Sequence, residues 1–131
     1  MAECPPVFSH ILDTSAILCY LADEPGASQV AAIRSRSAVP FIAYSELYYL
    51  VWRRRGKAEA DKVYAMVRQW RIPLLMPDER VILSAGRIKA LYRLGLADSY
   101  VAAFSVVHRA VLITLDADFL PLRPELALRK L

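Results

Sequence analysis

Short apolar stretches alternate with longer segments of helical spacing along this chain, and this order constrains the fold more than any other feature. The apolar stretches lie at residues 7–12, 38–42, 72–76 and 111–115. Amphipathic helices are predicted at residues 14–21, 27–34, 43–55, 57–70, 78–93 and 98–109. Strands that alternate with helices pack in layers around a mostly parallel sheet. The sequence therefore predicts a single α/β domain over residues 1–131, a length that suits one core.

The bulk composition narrows the class of protein. Although 56% of the residues are hydrophobic, no apolar run approaches the roughly 18–20 residues that span a bilayer. The first ten residues lack the charged and apolar regions of a signal peptide, so we expect a cytoplasmic protein. Cys4 and Cys19 have no zinc-ligand or redox-motif spacing and are expected to be reduced. A net charge of +4 favours polyanionic partners.

Acidic residues occupy positions in this pattern where a carboxylate is costly or exposed to a crevice. Asp13 follows the first predicted strand and Asp116 follows the last, and open parallel sheets bind ligands outside the carboxyl ends of their strands. Glu46 lies on a helix face whose neighbours, such as Ile42 and Tyr49, are largely apolar. Asp98 stands where a helix is predicted to begin. If these strands are adjacent in the sheet, the acids can meet at one edge.

Each acid also has a purely structural explanation. Glu46 could pair with an arginine or occupy an exposed edge position. Asp98 could serve only as the N-cap of its helix, an interpretation that we favour for Asp98 taken alone. Asp116 or Asp118 could cap a turn at residues 117–120. These explanations leave one difficulty, because several converging carboxylates repel one another unless a cation holds them together. Mg²⁺ is such a cation and prefers carboxylate oxygens.

A cluster of carboxylates in a basic protein suits phosphodiester chemistry. Divalent ions can activate water and stabilise charge on a phosphate. Neither His10, in the first strand region, nor His108, near a helix end, belongs to a His/Cys cluster of the kind that favours zinc. Basic residues could hold a polyanion, although a solvated helix face explains any one of them equally well. The candidates are Arg34, Arg36, Arg53, Arg54, Arg55, Lys57, Arg87, Lys89 and Arg93.

Four short motifs carry a family resemblance. They are ILDTSA at residues 11–16, SELY at 45–48, LADSYVAA at 96–103 and TLDADF at 114–119. Each is weak by itself, but all four occur in order with similar intervening lengths. Together they resemble the acidic motifs of the PIN-domain family, and within it those of the VapC-type toxins of prokaryotic toxin–antitoxin pairs.

The resemblance implies a three-layer fold with a mostly parallel sheet of four to five strands. It implies an endoribonuclease that hydrolyses single-stranded or structured RNA through metal-activated water. It also implies a homodimer and a VapB-like antitoxin. Mg²⁺ or Mn²⁺ would be held by Asp13, Glu46, Asp98 and Asp116. Asp118 would be an auxiliary ligand, and Ser15 and Thr114 would hydrogen-bond carboxylates or a metal-bound water. Two alternatives stay open, a housekeeping PIN nuclease of RNA processing or decay and a catalytically silent RNA-binding PIN module.

Overall fold

A computed structural model describes residues 8–131 and contains a five-stranded, all-parallel sheet. The strands follow the order β3-β2-β1-β4-β5 across the sheet. This confirms the predicted α/β class and the parallel sheet. The strands are β1 at His10–Leu12, β2 at Ser37–Pro40, β3 at Leu74–Leu75, β4 at Val111–Thr114 and β5 at Leu128–Lys130.

β5 is the strand that hydrophobic periodicity did not identify. It contains Leu128, Arg129 and Lys130, and both basic side chains are exposed. An edge strand needs little apolar surface because only one of its sides is paired, and charged residues on it discourage pairing with other chains. Its position is set by β4, since Leu112 pairs with Leu128 in the register of the two strands.

Six α-helices occupy the six segments that were predicted to be helical. They are α1 at Thr14–Leu21, α2 at Ala27–Ile33, α3 at Phe41–Arg55, α4 at Lys57–Arg68, α5 at Glu79–Leu91 and α6 at Leu96–His108. Two 3₁₀ turns lie at Arg34–Arg36 and Ala117–Leu122. Along residues 8–131, no helix combines the length and the apolar character that a membrane crossing requires.

Two helix starts differ from the prediction. α3 begins directly after Pro40, so Phe41 and Ile42 are helical and do not extend β2. α6 begins at Leu96 with Gly95 as its N-cap, so the interpretation of Asp98 as an N-cap is wrong. Asp98 lies in the first turn, where a negative charge still interacts favourably with the helix dipole. The extended backbone of Gly95 starts the helix without any side-chain cap.

The sheet separates two apolar cores, as expected for three layers. Successive strand residues point to opposite faces: Ile11 and Leu112 pack with α5 and α6, whereas Leu12 and Ile113 pack with α1 to α4. The strands β1 and β4 are therefore buried on both sides, which explains their uninterrupted apolar sequences. This burial holds the carboxyl ends of the two strands firmly in place.

The turn between α6 and β4 contains a conformational cost. Arg109 ends the helix in the left-handed region, with φ of 53° and ψ of 41°. A side chain in this region costs about 1 kcal/mol relative to glycine. The cost is accepted because the chain must turn sharply from α6 into the central sheet.

We expect Arg109→Gly to raise the free energy of unfolding by about 0.5–1 kcal/mol, since glycine adopts this conformation freely. Urea denaturation followed by circular dichroism measures the change. Arg109→Ala is the matched control, because alanine removes the same charge and retains the strain. A gain in the alanine variant equal to that in the glycine variant would show that the arginine charge, and not the backbone, carries the cost.

Candidate active site

The carboxyl ends of β1 and β4 lie side by side at the centre of the sheet. Leu12 pairs with Ile113, and the backbone N–H of Asp13 donates to the carbonyl of Ile113 at 3.3 Å. From β1 the chain proceeds outward to β2 and β3 on one side, while β4 and β5 occupy the other side. Such a reversal of strand order opens a crevice outside the carboxyl ends of the strands. Asp13 and Asp116 both follow these ends directly.

The Asp13 carboxylate is buried and held by three donors. Its Oδ1 accepts from the Ser15 hydroxyl at 2.7 Å and from the Ala16 backbone N–H at 2.9 Å. Its Oδ2 accepts from the Thr114 hydroxyl. Burial raises the pKa of Asp13, and the hydrogen bonds from Thr114, Ser15 and Ala16 oppose that rise. The hydrogen bond from Ala16 also makes Asp13 the N-cap of α1, so both the helix and the two hydroxyls fix the orientation of its side chain.

The same two hydroxyls position the segment that carries Asp116. The Leu115 N–H donates to the Ser15 oxygen at 3.0 Å, and the Asp116 N–H donates to the Thr114 oxygen at 2.9 Å. Asp116 then caps the following 3₁₀ turn by accepting from the Asp118 N–H at 2.9 Å. Asp116 therefore has the predicted capping role, while the side chain of Asp118 is exposed at the rim. One network links both strand ends.

Glu46 reaches this region from α3. Its carboxylate accepts from the Thr14 hydroxyl at 3.1 Å, across the boundary between α1 and α3. Among residues 8–131 the ion pairs are Lys57–Asp61, Arg80–Asp78 and Arg87–Glu125, so the alternative that Glu46 pairs with an arginine is not found there. This role of Thr14 was not predicted from the sequence. Its one signal is a polar side chain at the first position of a helix that follows an acid.

The pKa of Asp98 shows which other acids lie near it. Its pKa is raised to about 6, first by burial and then by the negative charges of Glu46, Asp116, Asp13 and Asp118. The other three predicted acids and the auxiliary Asp118 therefore all lie near enough to Asp98 to act on its carboxyl group. The next residue, Ser99, is buried and donates to the Gly95 carbonyl at 2.9 Å, which ties the first turn of α6.

Comparison with known proteins identifies the family of this chain. The sequence model of the PIN-domain family matches residues 10–122. The chain belongs to the PIN-domain family. No curated protein sequence matches the chain.

Solved structures similar to this PIN domain share its fold at low sequence identity. A DNA-bound VapBC complex from Salmonella typhimurium is 17% identical, with a TM-score of 0.79, over 95% of this chain and 98% of that one. VapBC-1 from nontypeable Haemophilus influenzae is 22% identical, with a TM-score of 0.73, over 92% and 96%. VapC20 from Mycobacterium tuberculosis, a toxin that cleaves the sarcin–ricin loop, is 16% identical, with a TM-score of 0.72, over 86% and 94%.

The donor set of this PIN domain suits a hard divalent cation. Within residues 8–131, no three His, Cys, Asp or Glu side chains are close enough to bind one ion together as they stand. Mg²⁺ needs only one or two direct carboxylates, because it retains several water ligands. Every side-chain atom that could bind a metal ion at this crevice is an oxygen. Neither histidine belongs to it, since His10 contacts Ser9 and His108 packs against Phe8 and Phe104.

Proposed function

We propose that this PIN domain is a metal-dependent endoribonuclease, the VapC-type toxin of a toxin–antitoxin pair. The observation that carries the proposal is the grouping of acids around Asp98, whose pKa is raised to about 6 by burial and then by four neighbouring negative charges. Folding gains nothing from carboxylates that oppose one another, so such a cluster points to a function. A divalent cation relieves this repulsion, and the PIN family and the VapBC-like fold support the assignment.

In this proposal Asp13, Glu46, Asp98 and Asp116 would hold Mg²⁺ or Mn²⁺, partly through water molecules that the ion retains, with Asp118 as an auxiliary ligand. When bound, the ion supplies activation of water and stabilisation of negative charge on the phosphate. The protein contributes orientation. Ser15 and Thr114 keep both oxygens of Asp13 in place, and Thr14 holds one oxygen of Glu46. Such preorganisation lets the acids act without rearranging during the reaction.

The proposal includes partners and a location. Four exposed apolar side chains on α5 and at the start of α6 support a homodimer, since exposed apolar surface marks interaction sites: Ile82, Leu83, Leu91 and Leu96. The solved VapBC complexes support a VapB-like antitoxin. An arginine supplied by an antitoxin would form charge-assisted hydrogen bonds with the acids and neutralise them. RNA as substrate makes the cytoplasm the expected location.

Cleavage of labelled single-stranded RNA by the purified protein tests this function. We expect cleavage with Mg²⁺ or Mn²⁺, its loss in EDTA, and its return when the metal is restored. Cleavage that EDTA leaves unchanged, or no cleavage by antitoxin-free protein with either metal, would contradict the proposal. A second experiment tests the toxin assignment. If this chain is a toxin, co-expression of a small DNA-binding protein encoded beside it should abolish RNA cleavage. If it is a housekeeping nuclease, cleavage should be unaffected.

A further inference from the structure

A tyrosine and an arginine of α3 lie on the face that carries Glu46. With 3.6 residues per turn, Tyr49 is about 60° from Glu46 around the helix, and Arg53 is about 20° from it. They follow Glu46 by about 4.5 Å and about 10 Å along the helix axis. The two side chains contact each other, since the Arg53 guanidinium lies 5.2 Å from the centre of the Tyr49 ring. They form one composite surface that begins beside the candidate active site.

This surface is available to a ligand. The Tyr49 side chain is 43% exposed. No carboxylate among residues 8–131 forms an ion pair with Arg53, because the three pairs present there use Lys57, Arg80 and Arg87. An exposed aromatic ring stacks on nucleobases, and a guanidinium without an acidic partner binds phosphate. Neither group contributes to the core.

Neighbouring cations of the same segment differ from Arg53. Lys57 is already paired with Asp61 at 2.7 Å. Arg55 lies about 180° from Glu46 around the helix. Together with Arg54 it lines a different cavity, of about 370 Å³, between α1 and the α3–α4 pair. The charge of this segment is therefore divided between two surfaces, and of the three consecutive arginines Arg53 lies nearest to Glu46 around the helix.

We propose that Tyr49 and Arg53 form the subsite that holds the RNA strand beside the scissile phosphate. Tyr49 stacks on a base, and Arg53 binds a backbone phosphate next to it. This inference rests on the proposed nuclease function and deepens it, since it assigns one cation of the basic cluster to the substrate. The subsite accepts different sequences, because every base has a face on which an aromatic ring can stack.

The test compares single substitutions by steady-state cleavage and by binding of a short unstructured RNA. Binding is measured by fluorescence anisotropy with Mg²⁺ in the Asp13→Asn background, so that the RNA stays intact. We expect Tyr49→Ala to weaken binding about 10-fold and to raise KM with little change in kcat. Tyr49→Phe, which keeps the ring, should remain within about 2-fold of the parent.

For Arg53 the informative readout is the dependence of binding on salt. The logarithm of the RNA-binding constant falls linearly with the logarithm of the salt concentration. Arg53→Ala should make this negative slope shallower by about 0.7, the value for one phosphate contact with a single strand. Arg55→Ala removes the same charge from the opposite helix face and should leave the slope unchanged. Equal effects of the two arginine variants, or a change of oligomeric state in the Tyr49 or Arg53 variants, would overturn the subsite.

Failure of the subsite and failure of the nuclease function give different results. A wild-type protein that cleaves RNA while the Tyr49 and Arg53 variants match it overturns the subsite alone. A wild-type protein that does not cleave, with RNA binding that still depends on Tyr49 and Arg53, supports the subsite and overturns the nuclease. Absence of both cleavage and RNA binding overturns both.

Discussion

Asp13→Asn is expected to lower RNA cleavage by about 1,000-fold, because it removes a proposed ligand of the metal ion that would supply several kcal/mol of charge stabilisation at the reacting phosphate. The fold should be retained. Asparagine is as good an N-cap as aspartate, and its oxygen can accept from Ser15 and Ala16 as Oδ1 now does. The Thr114 hydroxyl can turn its proton toward Ser15, 3.3 Å away, and accept from the new amide. Cleavage of labelled RNA under single-turnover conditions measures the loss.

Asp78→Asn is the matched control for this substitution. Asp78 is also the N-cap aspartate of a helix, and it accepts from the Val81 N–H at 3.0 Å. Asp78 lies at the start of α5 and is not one of the acids whose charges raise the pKa of Asp98. Full activity in the Asp78 variant, together with lost activity in the Asp13 variant, assigns the effect to the crevice. Wild-type activity in the Asp13 variant would remove this carboxylate from the catalytic set.

Asp98→Asn is expected to stabilise the metal-free protein at neutral pH. The pKa of Asp98 is about 6 in the folded protein, against an ordinary value of 3.8. Between these pH values the folded state binds more protons than the unfolded state, so stability falls as pH rises. The full shift corresponds to about 3 kcal/mol, which partial solvent exposure and the lost dipole interaction reduce to about 1–2 kcal/mol.

The gain should therefore depend on pH. In EDTA it should be present at pH 7.5, shrink as pH falls through about 6, and disappear below pH 3.8, where Asp98 becomes protonated in the unfolded state as well. Urea denaturation of both proteins at these pH values measures it. Asp78→Asn should show no gain at neutral pH, since the Val81 N–H and Arg80 lower the pKa of Asp78. Added Mg²⁺ should stabilise the wild type more than the Asp98 variant by mass action. A destabilised Asp98 variant at pH 7.5 in EDTA would contradict the repulsion.

Much of the fold was predictable because its signals are local. All six predicted helices and all four apolar strands are present, since periodicity depends on neighbours within a turn or a strand. The errors lie where local signals compete. Asp98 resembles an N-cap, yet Gly95 starts α6. Phe41 and Ile42 resemble the end of a strand, yet α3 begins at Phe41 directly after Pro40.

The candidate site was predictable only in part. The acids stood out because a carboxylate after a buried strand, or on an apolar helix face, requires an explanation. Among their partners, Ser15 and Thr114 were expected only through the family resemblance, and Thr14 was not expected at all. The hydroxyl of Thr14 serves Glu46 across a separation of 32 residues, and that of Thr114 serves Asp13 across 101 residues. No periodicity links positions so far apart.

The alternation of strands and helices, the positions of the acids and the excess of positive charge could therefore all be derived from the amino-acid sequence. These follow from residue type and short-range spacing. The pairing of β1 with β4, the rise in the pKa of Asp98 to about 6 and the contact between the Thr14 hydroxyl and Glu46 could be established only from the three-dimensional structure. Such properties depend on distances through space between residues that are far apart in the chain, and those distances exist only once the sheet has formed its order.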